Sequence, residues 1–496
     1  MPLAVNQQSI DVAALAENWP VCEDLMGGTP AMRKAGVAHL PKWPGETAEA
    51  YRSRLDTATL FPAYRRTVSV MASKPFAKAL TLSDADARIE EWAKDIDRGG
   101  VNLHAFAGEM FEESFYGLAG ILVEYPDTRP RDAQGRPVEG PMPKRTVAQV
   151  EASGARPYFV RVMHAQILGW QVTITPKSVR LSQLRIAESR EEPDGPYATK
   201  TVQQVRVLFP GRWELWEASP DNKGWNLVDA GTNSLKEIPF VPLYGRREGF
   251  MRGTPTLLDL AHLNVKHWQS QSDQDTILHV ARVPILTVKG VQETFQLTLG
   301  ASTAVNLGDN QYAEMAFVEH SGAAIGAGEI ALRALEAQMI QSGAELLVKQ
   351  PGDRSATESA GDQEGNKCEL QRLTERFEDA LDQALVYMAQ YAGIAPARAG
   401  SVSLFKDFGA ATLSDASAQL VADLNSRGLL SRATTLRELQ RRGIIEESVD
   451  IEAEIAAAEE EGPSLGELSD EGTIAPPKKT TRISRDANGD LIAQEE

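Results

Sequence analysis

The chain has 496 residues, of which 42% are hydrophobic and 24% charged, and its formal net charge is −18. This length exceeds one ordinary hydrophobic core, so we expect two or more lobes of the soluble globular type, with no membrane span and no secretory signal. The acidic balance excludes tight DNA binding by the whole surface, because phosphate neutralisation needs basic patches. It still allows a protein along which DNA slides without adhering.

The first 40 residues are mixed in pattern and are interrupted by helix breakers, which are Pro20, Gly27, Gly28 and Pro30. Helical spacing of apolar residues then predicts four helices, which begin near Thr47 and cover 61–72, 85–97 and 103–116. The apolar string GILVEY follows and predicts a short strand.

Residues 126–156 are rich in Pro, Arg, Asp and Gly, a composition typical of a surface loop. From residue 157 the period changes to alternation with β-branched and aromatic residues, so 157–245 are predicted to form a β-rich lobe. The segment 191–200 contains two prolines and a glycine and is predicted to be a turn between strands.

After Gly253 the pattern is helical again, to about residue 281, but 269–276 are polar on every side. Two interpretations of this polar belt stay open: helices packed side by side in a ring, or a monomer helix that faces solvent. The string ILTVKG follows at 285–290, and strands are predicted at 303–307 and 312–320, with a hairpin signal at 308–310. After a break at 322–328, a second helix with one apolar stripe is predicted to end near residue 348.

The segment 349–357 interrupts two helices, because Pro351 and Gly352 destabilise a helix interior. Ser355 and Glu358 fit a capping box for a long helix that ends near Gly393 and has a coiled-coil-like stripe. A strand is predicted after Gly400. Helices are then predicted over 415–427, 433–440 and 448–461, and the polar tail 462–496 is predicted to be disordered.

Motifs of catalysis or cofactor binding do not occur in the sequence. There is no Walker A motif, no G-x-S-x-G and no H-E-x-x-H. His262 and His267 are five residues apart, which misses the helical spacing of a metal pair, and Asp273 and Asp275 point different ways. Only two cysteines occur, which excludes a disulfide framework. We therefore expect no enzyme, no cofactor and no metal site.

The order of these elements, with several local strings, resembles the portal proteins of tailed bacteriophages, over about residues 40–460. The strings begin with LPKWPGETAEAYRSRL and GTPTLLDLAHLNVKHWQSQSDQDTILHVARVPILTVKG, continue with SGAAIGAGEIALRALEAQMIQSGAELLVKQ and SATESA, and end with DFGAATLSDASAQLVADLNSRGLLSRATTLRELQRRGII. The resemblance rests on the order of these strings, since no single string is diagnostic of the family. The similarity is greatest to an uncharacterised phage-encoded portal subfamily.

The resemblance implies an α+β fold of portal type, with a wing, a helical stem, a small β-containing clip, a long brace helix and an α-helical crown. The implied parts are the wing at 1–254, stem helices at 255–281 and 328–348, the clip at 282–327, a tunnel loop at 349–357, the long helix with a wing strand at 358–409, the crown at 410–461 and the disordered tail at 462–496.

The resemblance also implies a head-to-tail connector in the virion: a homo-oligomer, typically a dodecamer, at one capsid vertex and made in the host cytoplasm. Double-stranded DNA would pass through its channel during genome packaging and ejection. Its implied partners are the terminase motor, then a head-tail adaptor, and the major capsid and scaffolding proteins, with no membrane. Around the narrowest part of the channel, the resemblance places Lys349, Gln350, Arg354 and Ser355, where two basic side chains would touch DNA.

Two other classes of protein remain as alternatives. Another capsid-associated structural or adaptor protein would lack the helix–hinge–helix core and would not form closed rings with a lumen. An enzyme acting on polysaccharide would need two carboxylates that converge from separate elements. The sequence offers no such pair.

Overall fold

A computed structural model describes most of the chain, and the α+β class is confirmed by its mixture of helices and strands. The chain divides into two compact units, Met1–Lys406 and Asp407–Glu496. The described residues are 4–126, 154–219, 224–282, 285–289, 312, 314–318, 323–344, 367–406, 408, 431–441, 445, 449–460, 481–485 and 491–495.

The N-terminal region is more helical than its breakers predicted, with α1 at Ile10–Ala16 and α2 at Trp19–Ala35. Both prolines are tolerated for local reasons. Pro20 lies in the first turn of α2, where its missing N–H costs nothing, and Pro30 follows a kink at Gly28. Gly28 has φ 73° and ψ −159°, a conformation that a side chain would oppose.

The next four helices confirm the prediction within a few residues. They are α3 (Ala48–Thr57), α4 (Ala63–Ser73), α5 (Ala87–Trp92) and α6 (Leu103–Ser114). The N-termini of α3, α5 and α6 follow the rule that the side chain of a polar N-cap residue accepts from the first free N–H groups. Thr47 Oγ1 accepts from Ala50 N at 3.2 Å, and Asn102 Oδ1 accepts from Ala105 N at 2.8 Å.

Strand β1 (Thr81–Ala85) precedes α5, and the predicted β-rich lobe is confirmed by two antiparallel sheets. One has the order β3-β2-β9, and the other runs β4-β5-β6-β7-β8. A cluster of buried side chains joins both sheets to α1 and α2; it includes Val12, Trp19, Leu118, Leu122, Val162, Ile167, Ile186 and Phe240. The strands are β2 (Leu118–Glu124), β3 (Tyr158–Val162), β4 (Ile167–Ile174), β5 (Val179–Asp194), β6 (Ala198–Phe209), β7 (Arg212–Ala218), β8 (Trp225–Thr232) and β9 (Phe240–Tyr244).

The predicted turn at 191–200 was wrong in its extent. Strand β5 continues to Asp194 and β6 begins at Ala198, so only three residues form the turn. Gly195 takes φ 83°, which permits so tight a reversal. The register pairs Asp194 with Ala198. A proline is compatible with the strand end because ladder pairing stops there.

A short hairpin, β10 (Arg246–Gly249) and β11 (Arg252–Thr254), leads into helix α7 (Leu258–Ala281). Strands β12 (Ile285–Lys289) and β13 (Glu314–Val318) pair with each other, and helix α8 (Ala323–Ala344) follows. The break predicted at 322–328 was wrong, because α8 begins at Ala323 and continues through Gly326 and Gly328. The strand predicted at 303–307 and the turn at 308–310 lie outside the described residues.

The long helix α9 (Glu369–Tyr391) begins about ten residues later than predicted, because Lys367 and the extended Cys368 precede it. Its predicted stripe is confirmed by the burial of Leu370, Leu373, Phe377, Leu381 and Met388. Strand β14 (Ala399–Ser403) pairs antiparallel with β1, so the predicted strand after Gly400 joins the N-terminal part of the chain.

Within the second unit, α10 (Arg432–Arg441) and α11 (Ile451–Glu460) match two predicted helices, and Gln440 Nε2 donates to Val449 O at 3.0 Å. The helix predicted at 415–427 lies outside the described residues. Strands β15 (Thr481–Arg485) and β16 (Leu491–Glu495) form a hairpin. The prediction of disorder over 462–496 was therefore wrong for these ten residues.

Two further expectations concern the cysteines and membrane-spanning helices. Cys22 and Cys368 are both free and buried, as two unpaired small thiols would be. Among the helices that the structure describes, none is long and apolar enough to cross a membrane.

Candidate functional site

Helices α7 and α8 lie antiparallel and carry the β12–β13 ladder at one end. Gln274 Nε2 donates to Ile325 O at 2.9 Å, and His267 Nε2 lies 3.4 Å from Glu336 Oε1. Since residue numbers fall along α7 while they rise along α8, the two helices run in opposite directions. The ladder pairs Ile285 with Val318 at the helix-proximal end. We call residues 258–289 and 314–344 the arm.

Polar residues inside α7 fix the base of the arm. Asn264 is fully buried; its Oδ1 accepts from Tyr64 N and its Nδ2 donates to Phe61 O, each at 2.9 Å. These backbone groups precede and begin α4, where the first N–H groups of a helix have no partner within the helix. One amide side chain therefore connects α7 to the start of α4, beside the fully buried Trp268.

The polar belt at 269–276 is packed within its own chain on two sides. Gln269 Nε2 donates to His39 O at 3.0 Å, while Ser272 and Gln274 are 3% and 7% exposed. Asp273 and Asp275 face solvent. A belt that faces solvent on every side is thus wrong. The residues of the belt that face inward are covered by their own chain, so a contact between copies is not needed to explain them.

Helix α7 separates two sides of the arm. Residues seven apart on an α-helix lie on the same side, and residues two apart point about 200° away from each other. His267 and Gln274 face α8. Gln269 and Thr276 face the segment 39–54, because Gln269 bonds His39 and Thr276 lines a cleft with Trp43.

Helix α8 has one face against α7 and a second apolar face in the open. Leu332 and Met339 are 8% and 2% exposed, and Gly328 is so close to α7 that a Cβ there would lie 2.0 Å from Gln274 Oε1. The side turned away from α7 is largely apolar and exposed, with Ile330 at 71% and Ile340 at 74%. We call it the outer face; its residues are Ala327, Ile330, Ala334, Ala337, Ile340 and Ala344.

The charged residues of α8 are Glu329, Arg333 and Glu336, and Arg333 lies among the residues of the outer face, seven residues before Ile340. Glu329 and Arg333 pair with each other at 2.6 Å, and Glu336 points toward His267. A helix at a protein surface normally has polar residues opposite its buried stripe, whereas a helix that is apolar all round is covered on both sides. The outer face therefore has the composition of a buried surface.

A cleft of about 390 Å³ lies on the other side of α7, where α3 and the turn before it approach Thr276. Arg54 forms its floor: the guanidinium lies 4.1 Å from the Trp43 ring and bonds Glu46 through Nε at 2.8 Å and Nη2 at 2.9 Å. These bonds from Arg54 lower the pKa of Glu46. We call this the Trp43 cleft; it is lined by Trp43, Pro44, Gly45, Glu46, Thr47, Ala50, Arg54 and Thr276.

A buried titratable cluster lies away from the arm. His164 Nδ1 is 2.6 Å from Glu113 Oε1, its Nε2 is 2.9 Å from Glu23 Oε1, and the Tyr116 ring stacks on it at 3.9 Å. Burial lowers the pKa of His164, but the two carboxylates outweigh burial and raise it. His164 thus connects α2, α6 and the β-rich lobe through its bonds to Glu23 and Glu113, which is a structural role.

The four residues that the resemblance placed in the channel, Lys349, Gln350, Arg354 and Ser355, lie outside the described residues. The outer face was not predicted from the sequence, because the apolar residues of α8 were assigned to a single stripe. A signal was present: the 22 residues of α8 contain three charged side chains, so more than one side had to be apolar. Within the described ranges, no group of three or more His, Cys, Asp or Glu could hold a metal ion.

A family model described as a domain of unknown function (DUF4055) matches residues 256–392. This range contains the arm and the long helix α9. No curated protein matches the chain.

Solved structures with similarity to the chain come from gene transfer agent (GTA) particles. The virion of a native GTA particle aligns with TM-score 0.38 and 12% identity over 83% of this chain and 98% of that chain. The neck of an empty GTA particle computed with C6 symmetry aligns with TM-score 0.38 and 12% identity over 82% of this chain and 96% of that chain. The neck of a native GTA particle computed with C12 symmetry aligns with TM-score 0.35 and 11% identity over 84% of this chain and 99% of that chain. TM-scores this low do not establish a common fold.

Proposed function

We propose that this chain is the portal subunit of a tailed bacteriophage. Copies form a ring at one capsid vertex, double-stranded DNA enters and leaves through the channel of the ring, and the ring docks first the terminase and then the head-tail adaptor. The proposal unites the ordered sequence segments that resemble portal proteins with one structural observation. That observation is the apolar outer face of α8, at 71% and 74% exposure of its two isoleucines.

The outer face supports assembly because exposed apolar surface is stabilised when another body covers it. Full burial of an Ile side chain contributes about 1.5–3 kcal/mol. If neighbouring arms lie side by side around an axis, α8 is covered on both faces and the arms form a continuous wall. The wall of arms would be the stem of the ring, and the β12–β13 end would be part of the clip that meets the terminase or the adaptor.

The charge supports a channel through which DNA slides. Each subunit contributes −18, so a ring of twelve would carry twelve times that charge. An acidic wall repels phosphate and prevents DNA from adhering. In this proposal Lys349 and Arg354 supply the few transient basic contacts at the narrowest point. The subunit itself is not an enzyme, because a separate motor hydrolyses ATP during packaging.

Electron microscopy of the purified full-length chain tests the proposal directly. We expect rings with a central hole wide enough for a DNA duplex. A protein that stays monomeric at high concentration would overturn the portal assignment. Compact particles without a lumen would favour the alternative, a capsid-associated structural or adaptor protein.

The role of the segment 349–357 needs a separate test. Deletion of residues 350–355 should leave ring assembly intact but impair DNA packaging or retention, measured as the fraction of DNA-filled heads in a phage that depends on this gene. Normal filled heads from the deletion would show that the segment does not act on DNA.

A further inference from the structure

We propose that neighbouring copies join head to tail, with the outer face of α8 on one copy seated in the Trp43 cleft of the next. This inference rests on the proposed function, because it supplies the contact by which the ring closes. It commits to a second copy of this chain as the occupant of the cleft.

The two surfaces lie on opposite sides of the arm. His267 and Gln274 of α7 face α8, while Thr276, two residues beyond Gln274, lines the Trp43 cleft. The outer face is in turn on the side of α8 that points away from α7. Along a line across the arm the order is therefore outer face, α8, α7 and cleft, so both surfaces are free to meet neighbours at the same time.

The two surfaces also stand at similar heights along the arm. Ile330 lies between Ile325 and Glu336, the α8 residues that contact Gln274 and His267. It is thus level with the stretch of α7 between 267 and 274. Thr276 lies only two residues beyond that stretch, which is about 3 Å at the rise of an α-helix. Copies related by rotation about an axis near the arm direction would bring Ile330 close to the cleft of the neighbour.

Charge is matched, because neither surface presents an unpaired charge. On the outer face, the charge of Arg333 is paired with Glu329 at 2.6 Å. In the cleft, Glu46 and Arg54 pair at 2.8 Å with both side chains 4% exposed. An apolar side chain that enters the cleft therefore leaves no buried charge without a partner, which would otherwise be costly.

The cleft has the features of an interface anchor. Trp and Arg dominate the binding energy of many interfaces, and a preorganised side chain loses little entropy on binding. Trp43 is 39% exposed yet held by Arg54, whose Nη2 also donates to Pro41 O at 2.9 Å. Two outer faces could instead pack on each other about a two-fold axis. Such a contact closes at two copies, whereas contact between unlike surfaces generates rings.

Site-directed cross-linking tests the inference on the full-length chain. The double variant Ile330→Cys with Ala50→Cys places one thiol on each surface, and both positions are exposed, so folding should be unaffected. The two native cysteines are buried and should not react. With a short bifunctional maleimide we expect a ladder of covalent dimers, trimers and larger species on a denaturing gel. Each single variant should remain at monomer mass.

The matched control is the double variant Val70→Cys with Ala50→Cys. Val70 lies on α4 and is 53% exposed. A ladder from this control pair would overturn the inference as non-specific. Covalent dimers from Ile330→Cys alone would overturn it in favour of the two-fold contact. Rings in the microscope without a ladder would overturn the docking but spare the portal assignment, whereas the absence of both rings and ladder overturns both.

Discussion

The two helices of the arm use their residues in opposite ways. Helix α7 buries polar groups: Asn264, His267 and Ser272 are 0%, 2% and 3% exposed. Helix α8 exposes apolar groups, with Ile330 and Ile340 at 71% and 74%. Each helix departs from the usual arrangement of apolar residues inside and polar residues outside, and the two departures have different causes.

In α7, Asn264, Gln269 and Gln274 bind backbone atoms of the same chain and His267 Nε2 faces Glu336 Oε1, although Ser272 Oγ and His267 Nδ1 are buried without a hydrogen-bond partner. In α8 no described residue of the chain covers the outer face. The comparison indicates that contacts within the folded chain cover α7, whereas the outer face of α8 is covered only when copies assemble. Substitutions in α7 should therefore change the stability of the subunit, and substitutions on the outer face should change its oligomeric state.

The largest expected effect is on assembly. The double variant Ile330→Glu with Ile340→Glu should abolish rings, because it places two carboxylates where apolar burial is proposed. Loss of two buried Ile side chains removes about 3–6 kcal/mol per contact, which weakens neighbour binding at least about 100-fold. Light scattering during size exclusion should report monomers, while thermal unfolding of the subunit stays within a few degrees of the parent.

The matched control is Ile10→Glu, since Ile10 is 88% exposed on α1. This control should leave the rings intact. If the double variant still forms rings, the outer face is not part of the contact and the comparison between α7 and α8 loses its meaning.

The next effect is on folding. Asn264→Ala should lower the free energy of unfolding by about 1–3 kcal/mol, because Tyr64 N would remain buried without a partner, while Phe61 O would keep only Ala63 N as a donor. Denaturant unfolding in the Ile330→Glu, Ile340→Glu background excludes any contribution of assembly. The control is Lys266→Ala, an exposed position on the same helix, which should change the free energy of unfolding by less than about 0.5 kcal/mol. Equal effects of the two changes would contradict the role of Asn264.

The sequence predicted those elements whose signals are local. Thr47 before α3, the stripe of α9 and the alternation over 157–245 each correspond to an observed element. Helix α2 was missed because Gly28 and Pro30 are breakers in isolation, whereas a kink at Gly28 places the proline in a first turn. Likewise, the start of α8 was missed because the glycines at 326 and 328 suggest a loop unless the helix against which Gly328 packs is known.

The functional surfaces were harder to predict than the elements. Burial of the polar belt depends on His39 O and Ile325 O, which are far from α7 in sequence. The Trp43 cleft likewise needs Thr276 beside Ala50, over 200 residues apart. Sequence patterns show that a residue is polar or apolar, but only packing decides which apolar face is left without a partner within the chain.

The smallest expected effect compares two glycines of α8. A Cβ at Gly328 would lie 2.0 Å from Gln274 Oε1, so Gly328→Ala must displace an amide that donates to Ile325 O; we expect a loss of about 1–2 kcal/mol. Gly326 has nothing within 4 Å, so Gly326→Ala should stabilise by up to about 1 kcal/mol through helix propensity. Denaturant unfolding in the same non-assembling background measures both. Stabilisation by both changes would mean that α8 does not pack closely on α7 at Gln274, and the inward side of α8 would then be as open as its outer face.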